Sequence, residues 1–128
     1  MSGVSLTIKA LLASAAVKAK VAQRVFSYPL PLKTKLPAIA VAMSGEDDDY
    51  LLDGAGKYPS TDVMVHCIAA DADDAIELGE TVKAALQDLH FTAGGADALF
   101  TKLALDYTDS ATDLSTQRRI MGFSVRWR

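Results

Sequence analysis

The sequence lacks the features of a disulfide-rich, zinc-binding or membrane-spanning protein. Cys67 is its one cysteine, which excludes an intramolecular disulfide and a cysteine-rich zinc framework. No apolar run approaches the ~20 residues that cross a bilayer. The short apolar run at 10–17 could pass for a signal-peptide core, but Lys18 and Lys20 follow it directly. An alanine-rich first helix is therefore the favoured interpretation.

Charge of one sign is missing from long parts of the chain, although the net charge is only −3. Residues 1–45 contain six basic residues and no acid. Residues 46–113 contain all sixteen acids and three lysines, and residues 114–128 contain four arginines and no acid. The negative net charge excludes an overall basic nucleic-acid binder, and the segregation offers two surfaces of opposite charge.

The length and composition indicate one packed domain over 1–128, because half of its 128 residues are hydrophobic. Apolar residues at helical spacing predict a helix over 5–16, capped by Ser5, that continues or restarts through Val17–Arg24. A second helix follows Asp71 as its N-cap and has the strongest helical periodicity in the chain. The prolines after Tyr28 predict an extended connector.

Alternation of apolar residues predicts four strands, at 37–44, 60–70, 99–108 and 117–127. Glycine and aspartate make about 45–60 a long acidic loop. The element order is then α-β-β-α-β-β. It predicts an α+β two-layer sandwich, in which both helices pack on one face of a four-stranded, mainly antiparallel sheet.

Five acids in that loop raise the question of a divalent-cation site: Glu46, Asp47, Asp48, Asp49 and Asp53. Calcium and magnesium prefer oxygen ligands, but the spacing of an EF-hand loop is not met. A solvated acidic loop explains these residues better, so we predict no metal site and no cofactor.

No set of residues predicts catalysis. His66 and Cys67 are neighbours in a predicted strand, so their side chains point to opposite faces and cannot form a dyad. A G-x-S-x-G elbow and a glycine-rich phosphate loop are both missing from the sequence.

Four arginines close the chain: Arg118, Arg119, Arg126 and Arg128. They could contact nucleic acid, or they could pair with carboxylates of a neighbouring subunit or of another chain segment. The second use is favoured, because no stacking platform or nucleic-acid motif accompanies them and guanidinium groups bind carboxylates through two hydrogen bonds.

The order of several motifs resembles a known family. The motifs are an Ala/Leu-rich first helix, Tyr28-Pro-Leu-Pro, Leu36-Pro-Ala-Ile-Ala-Val, Leu52-Asp-Gly, His66-Cys-Ile-Ala, a helix from Asp73, and Arg118-Arg-Ile-Met-Gly-Phe-Ser-Val-Arg-Trp. Together they resemble the small tail-completion proteins (tail terminator, tail-to-head joining) of long-tailed bacteriophages, prophages and gene transfer agents. The resemblance covers nearly the whole chain, but not the acidic run at 46–49.

This resemblance implies structural work in a virion, without enzymatic activity, catalytic residues or cofactors. Such proteins form a ring, typically a hexamer, that caps the finished tail tube and docks on the head connector. The implied partners are other copies of the chain, the tail tube protein and a head-completion or connector protein, with DNA as transient cargo in the channel and no membrane. The implied location is the tail or neck of the virion, after assembly in the bacterial cytoplasm.

The residues add two hypotheses to that role. The acidic loop at 46–53 would line the channel, where negative charge does not trap DNA phosphates, or would become ordered against the tube. The terminal arginines would contact a neighbouring subunit. Two alternatives remain open: another phage neck or tail-tube-related protein, and a small enzyme or ligand-binding domain. The second would require an apolar pocket with convergent polar groups.

Overall fold

A computed structural model describes residues 2–47, 50–51, 54–55, 60–111 and 115–128. The helices are α1 (Gly3–Ala13), α2 (Ala15–Val21) and α3 (Ala72–Leu86). The strands are β1 (Val25–Ser27), β2 (Ala38–Asp47), β3 (Tyr50–Leu51), β4 (Gly54–Ala55), β5 (Ser60–Ala69), β6 (His90–Ala93), β7 (Ala96–Ser110) and β8 (Gln117–Trp127).

Six strands form one mixed sheet in the order β1-β2-β5-β8-β7-β6, and β3 pairs with β4 in a separate two-stranded ribbon. The β1 strand runs parallel to β2, and the other pairs in the main sheet are antiparallel. The predicted four-stranded, mainly antiparallel sheet with two helices is therefore wrong: the described residues form a six-stranded mixed sheet with three helices.

The two unpredicted strands of the six-stranded sheet, β1 and β6, lie at its edges and are short. The β1 strand has 3 residues, which is too few for an alternating pattern to be visible. The β6 strand has 4 residues and joins β7 through Gly94 and Gly95, whose φ angles of 58° and 80° suit a tight hairpin turn. Those glycines indicate a turn in the sequence, but too little apolar alternation precedes them to predict a strand.

The start of the first helix differs from the prediction, whereas the start of α3 agrees with it. Ser2, not Ser5, caps α1: the Ser2 side chain accepts from the Ser5 backbone, and the Ser5 side chain accepts from the Ser2 backbone. Ser14 ends α1 and caps α2, so the predicted first helix is divided in two. Asp71 caps α3 as predicted, because its carboxylate accepts from the Asp74 backbone N–H at 2.8 Å.

The core lies between the helices and one face of the sheet. The β8 strand forms where it is predicted, and Met121, Phe123 and Val125 on its core side are all buried. Ile120 on the other side is buried as well. In β7 the buried residues are Ala96, Ala98 and Phe100, so its odd-numbered apolar side chains face away from the helices. They leave a second sheet face with partly exposed apolar groups, among them Leu99, Leu105 and Tyr107.

A bulge of two extra residues interrupts β7 beside β8. Lys102 pairs with Phe123 and Asp106 with Met121, so β7 has two more residues than β8 over this stretch. The extra chain packs closely on Gly122, where an added Cβ would lie 3.3 Å from the Leu105 Cβ. An ion pair of 3.5 Å between Lys102 Nζ and Asp106 Oδ2 spans the bulge. The bulge bends β7 while the pairing resumes beyond it.

The predicted loop at about 45–60 is partly strand. The β2 strand continues to Asp47 and β5 begins at Ser60, with β3 and β4 between them. Residues 48–49, 52–53 and 56–59 lie outside the described part of the chain.

Candidate functional site

Arg119 connects α3, β7 and β8 beneath the helix. Its guanidinium donates to Asp106 Oδ1 at 2.9 Å and Oδ2 at 2.8 Å, to Glu80 Oε1 at 2.8 Å and to the Ile76 carbonyl at 3.1 Å. Its side chain is only 10% exposed. Hydrogen bonding to Asp106 raises the pKa of Arg119 above its usual range and lowers the pKa of Asp106. These charge-assisted bonds stabilise the fold of the chain itself.

Gly79 makes room for this arginine. A Cβ added at Gly79 would lie 2.4 Å from Arg119 Cδ, far inside van der Waals contact. The helix therefore needs a residue without a side chain where Arg119 passes between α3 and the sheet.

Arg118 projects to the opposite face of the sheet, as adjacent residues of a strand do. It donates to both oxygens of Asp109, at 2.7 and 2.6 Å. Nearby on this second face, His66 is buried and its ring centroid lies 4.9 Å from that of Tyr28. Burial, and then the charge of Arg118, lowers the pKa of His66. Three partners were considered for the arginines: nucleic acid, a neighbouring subunit and another segment of the chain. Arg118 and Arg119 bind carboxylates of another segment.

Arg126 and the acidic segment lie at one end of the sheet. Ser60 pairs with Arg126 on one side and with Asp47 on the other, so β8 ends where the acidic residues begin. Arg128 follows directly, and its backbone exchanges two hydrogen bonds with Asp97. Glu46 and Asp47 are the last residues of β2, whereas the predicted contact residues Asp48, Asp49 and Asp53 are outside the described part.

The opposite end of the sheet carries the proline-rich connector between β1 and β2. Thr34 closes a turn there, because its hydroxyl and its backbone N–H donate to the Pro31 carbonyl at 2.5 and 3.3 Å. Leu32 occupies the tip of this turn and is 96% exposed. The connector and the β7–β8 turn enclose a groove of about 700 Å³ whose other lining residues include Ile68 and Arg118.

A second groove, of about 470 Å³, separates α2 from α3 on the helical face. Small side chains line it, and Lys20, Glu77 and Glu80 supply its charged groups. The small residues are Ser14, Ala16, Thr81, Ala84 and Ala85.

The described residues were compared with two kinds of site, a metal centre and a reactive cysteine. Among them, no group of three His, Cys, Asp or Glu residues could hold a metal ion. Cys67 is completely buried, and burial raises the pKa of its thiol to about 12, which makes it a poor nucleophile. Within the same ranges, no helix has the length and apolar character needed to cross a membrane.

Sequence reasoning missed the carboxylate partners and the exposed leucine. Asp109 lies directly opposite Arg118 in the β7–β8 hairpin. Aligning the two predicted strands as a hairpin would have placed these opposite charges side by side, and such cross-strand pairs attract each other. The Asp106 contact had no such signal, because it depends on the bulge. Leu32 is one of three leucines in this connector, and nothing in the sequence distinguishes it from Leu30 and Leu36.

The fold and its surfaces define a class of protein: a small α+β domain whose polar clusters hold its own elements together. Residues 7–128 match the family model described as "Tail completion protein gp17", and the chain belongs to this family. It is therefore a structural protein of the phage tail, as the order of motifs predicts.

A solved structure shares the fold. A chain of the "Virion of native gene transfer agent (GTA) particle" is similar to this chain with a TM-score of 0.71 and 20% sequence identity, over 98% of this chain and 94% of that chain. No curated protein sequence is a significant match.

Proposed function

We propose that the chain forms a homo-oligomeric ring, a hexamer, that ends the tail tube and joins the tail to the head connector. DNA passes through the central channel of this ring. The chain performs this work in the virion by binding other proteins, and no catalytic residue or cofactor takes part.

The observation that carries the proposal is the family match over 7–128. The fold similarity supports it, because it extends over 98% of this chain. The role follows from family membership and not from any single residue.

The physical character of the surface supports a ring. A closed ring is built from heterologous contacts, in which two different surfaces of each chain meet. The chain offers an alanine-lined groove on its helical face and a connector with an exposed leucine at the other face. These two surfaces also differ in charge.

Within this proposal, the acidic residues Glu46, Asp47, Asp48, Asp49 and Asp53 face the channel or the tube. Carboxylates along a channel repel DNA phosphates and keep the passage free of tight binding. Of the four arginines, Arg126 and Arg128 lie at the same end of the sheet as this segment. We assign them the contact to a neighbouring subunit, while Arg118 and Arg119 stabilise the subunit itself.

Light scattering after size-exclusion chromatography tests the proposal, on the chain alone and with assembled tail tubes. The expected result is a ring-sized species, or co-elution of the chain with tubes in several copies per tube end. Electron microscopy of tube ends should show a cap of greater diameter. A chain that stays monomeric and unbound in the presence of tubes would overturn the proposal.

A further inference from the structure

Leu32 stands out among the exposed apolar side chains of the described residues. It is 96% exposed, whereas the next, Met43, is 59% exposed. The turn at 31–34 fixes it at a tip instead of leaving it on a loose strand of chain. Lys33 and Lys35 follow it in the sequence and are exposed as well. The tip is thus an apolar knob with two positive charges beside it.

The α2–α3 groove has the complementary character. Its floor consists of small side chains, which leave room for an inserted apolar group. The α3 side is acidic: residues 71–80 contain five acids and no base. Glu77 and Glu80 stand at the groove itself, and Glu80 also accepts from Arg119 through Oε1. Lys20 on the α2 side is the single basic residue among those that line it.

The knob lies outside the groove of its own chain, since Leu32 is 96% exposed. The connector lines a groove together with Ile68 and Arg118, which share the sheet face without helices, and only its end at Pro37 comes beside Lys20 and Glu77. The α2–α3 groove is thus open to the knob of a second copy.

We infer that Leu32 of one copy inserts into the α2–α3 groove of the next copy, with Lys33 and Lys35 beside Glu77 and Glu80. The inference rests on the proposed ring and names the two surfaces that build it. The contact is head-to-tail, since each copy gives its knob to one neighbour and its groove to the other. The occupant of the groove is a second copy of this chain, because the two lysines of the connector are opposite in charge to Glu77 and Glu80 of the groove.

A disulfide trap tests the contact in tails purified from the producing host. A Leu32→Cys, Ala84→Cys double variant places one thiol on the knob and one in the groove. Diamide accepts the two electrons and two protons that leave when the S–S bond forms, and Cys67 does not interfere because it is buried. The expected result is a ladder of linked chains up to the ring size. Each single variant, and the Leu32→Cys, Thr101→Cys pair, should give no ladder.

A charge exchange tests the electrostatic part. Lys33→Glu with Lys35→Glu, or Glu77→Lys alone, should reduce the chain bound per tail about tenfold, since like charges then meet across the contact. Glu77→Lys combined with the two lysine changes should restore most of the binding. Lys9→Glu with Lys18→Glu, which alters charge by the same amount away from the knob, should leave it unchanged.

Failure of the inference can be told from failure of the proposed function. If tails contain several copies of the chain but give no 32–84 link, or if the exchanged charges do not restore binding, the inference is wrong and the ring still stands. If tails contain no copy or only one, both the ring and the inference are wrong.

Discussion

A methyl group at Gly79 should destabilise the protein, although alanine is the better helix former. In an open helix, replacing glycine by alanine stabilises by about 1 kcal/mol. Here the new Cβ would lie 2.4 Å from Arg119 Cδ, and four hydrogen bonds prevent the arginine from simply moving aside.

The magnitude follows from what Arg119 would lose. Breaking a buried ion pair costs about 3–5 kcal/mol. The Asp106 and Glu80 side chains are 25% and 60% exposed, so water replaces part of the loss and the lower bound of about 3 kcal/mol applies. After the helix gain of about 1 kcal/mol, Gly79→Ala should lower the free energy of unfolding by about 2 kcal/mol. The Tm should fall by about 8 °C for a domain of this size.

Urea and thermal unfolding followed by circular dichroism measure the effect, at protein concentrations where the chain is monomeric. Arg119→Ala is the matched background, because it removes the atoms that the new Cβ would meet. In that background Gly79→Ala should be neutral or stabilise by up to about 1 kcal/mol. A Gly79→Ala protein as stable as the wild type, or the same loss in both backgrounds, would refute the role given to the close approach of Arg119.

Three further predictions concern single side chains. Arg119 lowers the pKa of Asp106, so the ionised Asp106 stabilises the fold above its unfolded pKa near 3.8, and this stabilisation is lost as pH falls toward the lower folded pKa. In the Asp106→Asn variant, the free energy of unfolding should therefore fall less steeply below about pH 4. A slope equal to that of the wild type would contradict this. Cys67, with its pKa raised to about 12, should not react with a thiol reagent at pH 8 until urea unfolds the chain, and rapid labelling of the native protein would show that it is accessible. Thr61 Oγ1 is buried without a hydrogen-bond partner, so Thr61→Val should stabilise by about 1 kcal/mol in urea unfolding, whereas a loss of stability would mean that the hydroxyl has a partner after all.

The sequence pattern was sufficient where an element is long and one of its faces is buried. The α3 helix has its cap at Asp71 and a buried stripe that includes Leu78, Val82 and Leu86; both are visible in the sequence. The β8 strand follows its apolar alternation through Phe123 and Val125.

The pattern failed where structure depends on a neighbour in space. Val25–Ser27 forms a strand because β2 lies beside it, not because three residues have a strand pattern. The arginines were recognised as carboxylate ligands, but which acid each one binds depends on register and on the bulge in β7. The acidic segment at 46–53 could be recognised by composition, whereas its role in assembly stays a prediction.

The bulge in β7 has a consequence for how this strand can change in evolution. Because β7 has two extra residues there and not one, Asp106 keeps the face on which Arg119 lies. Adding or deleting one residue between Lys102 and Asp106 would turn Asp106 to the opposite face, where it could not reach Arg119. Relatives that keep this pair of residues should therefore differ in the number of residues between Lys102 and Asp106 only in steps of two.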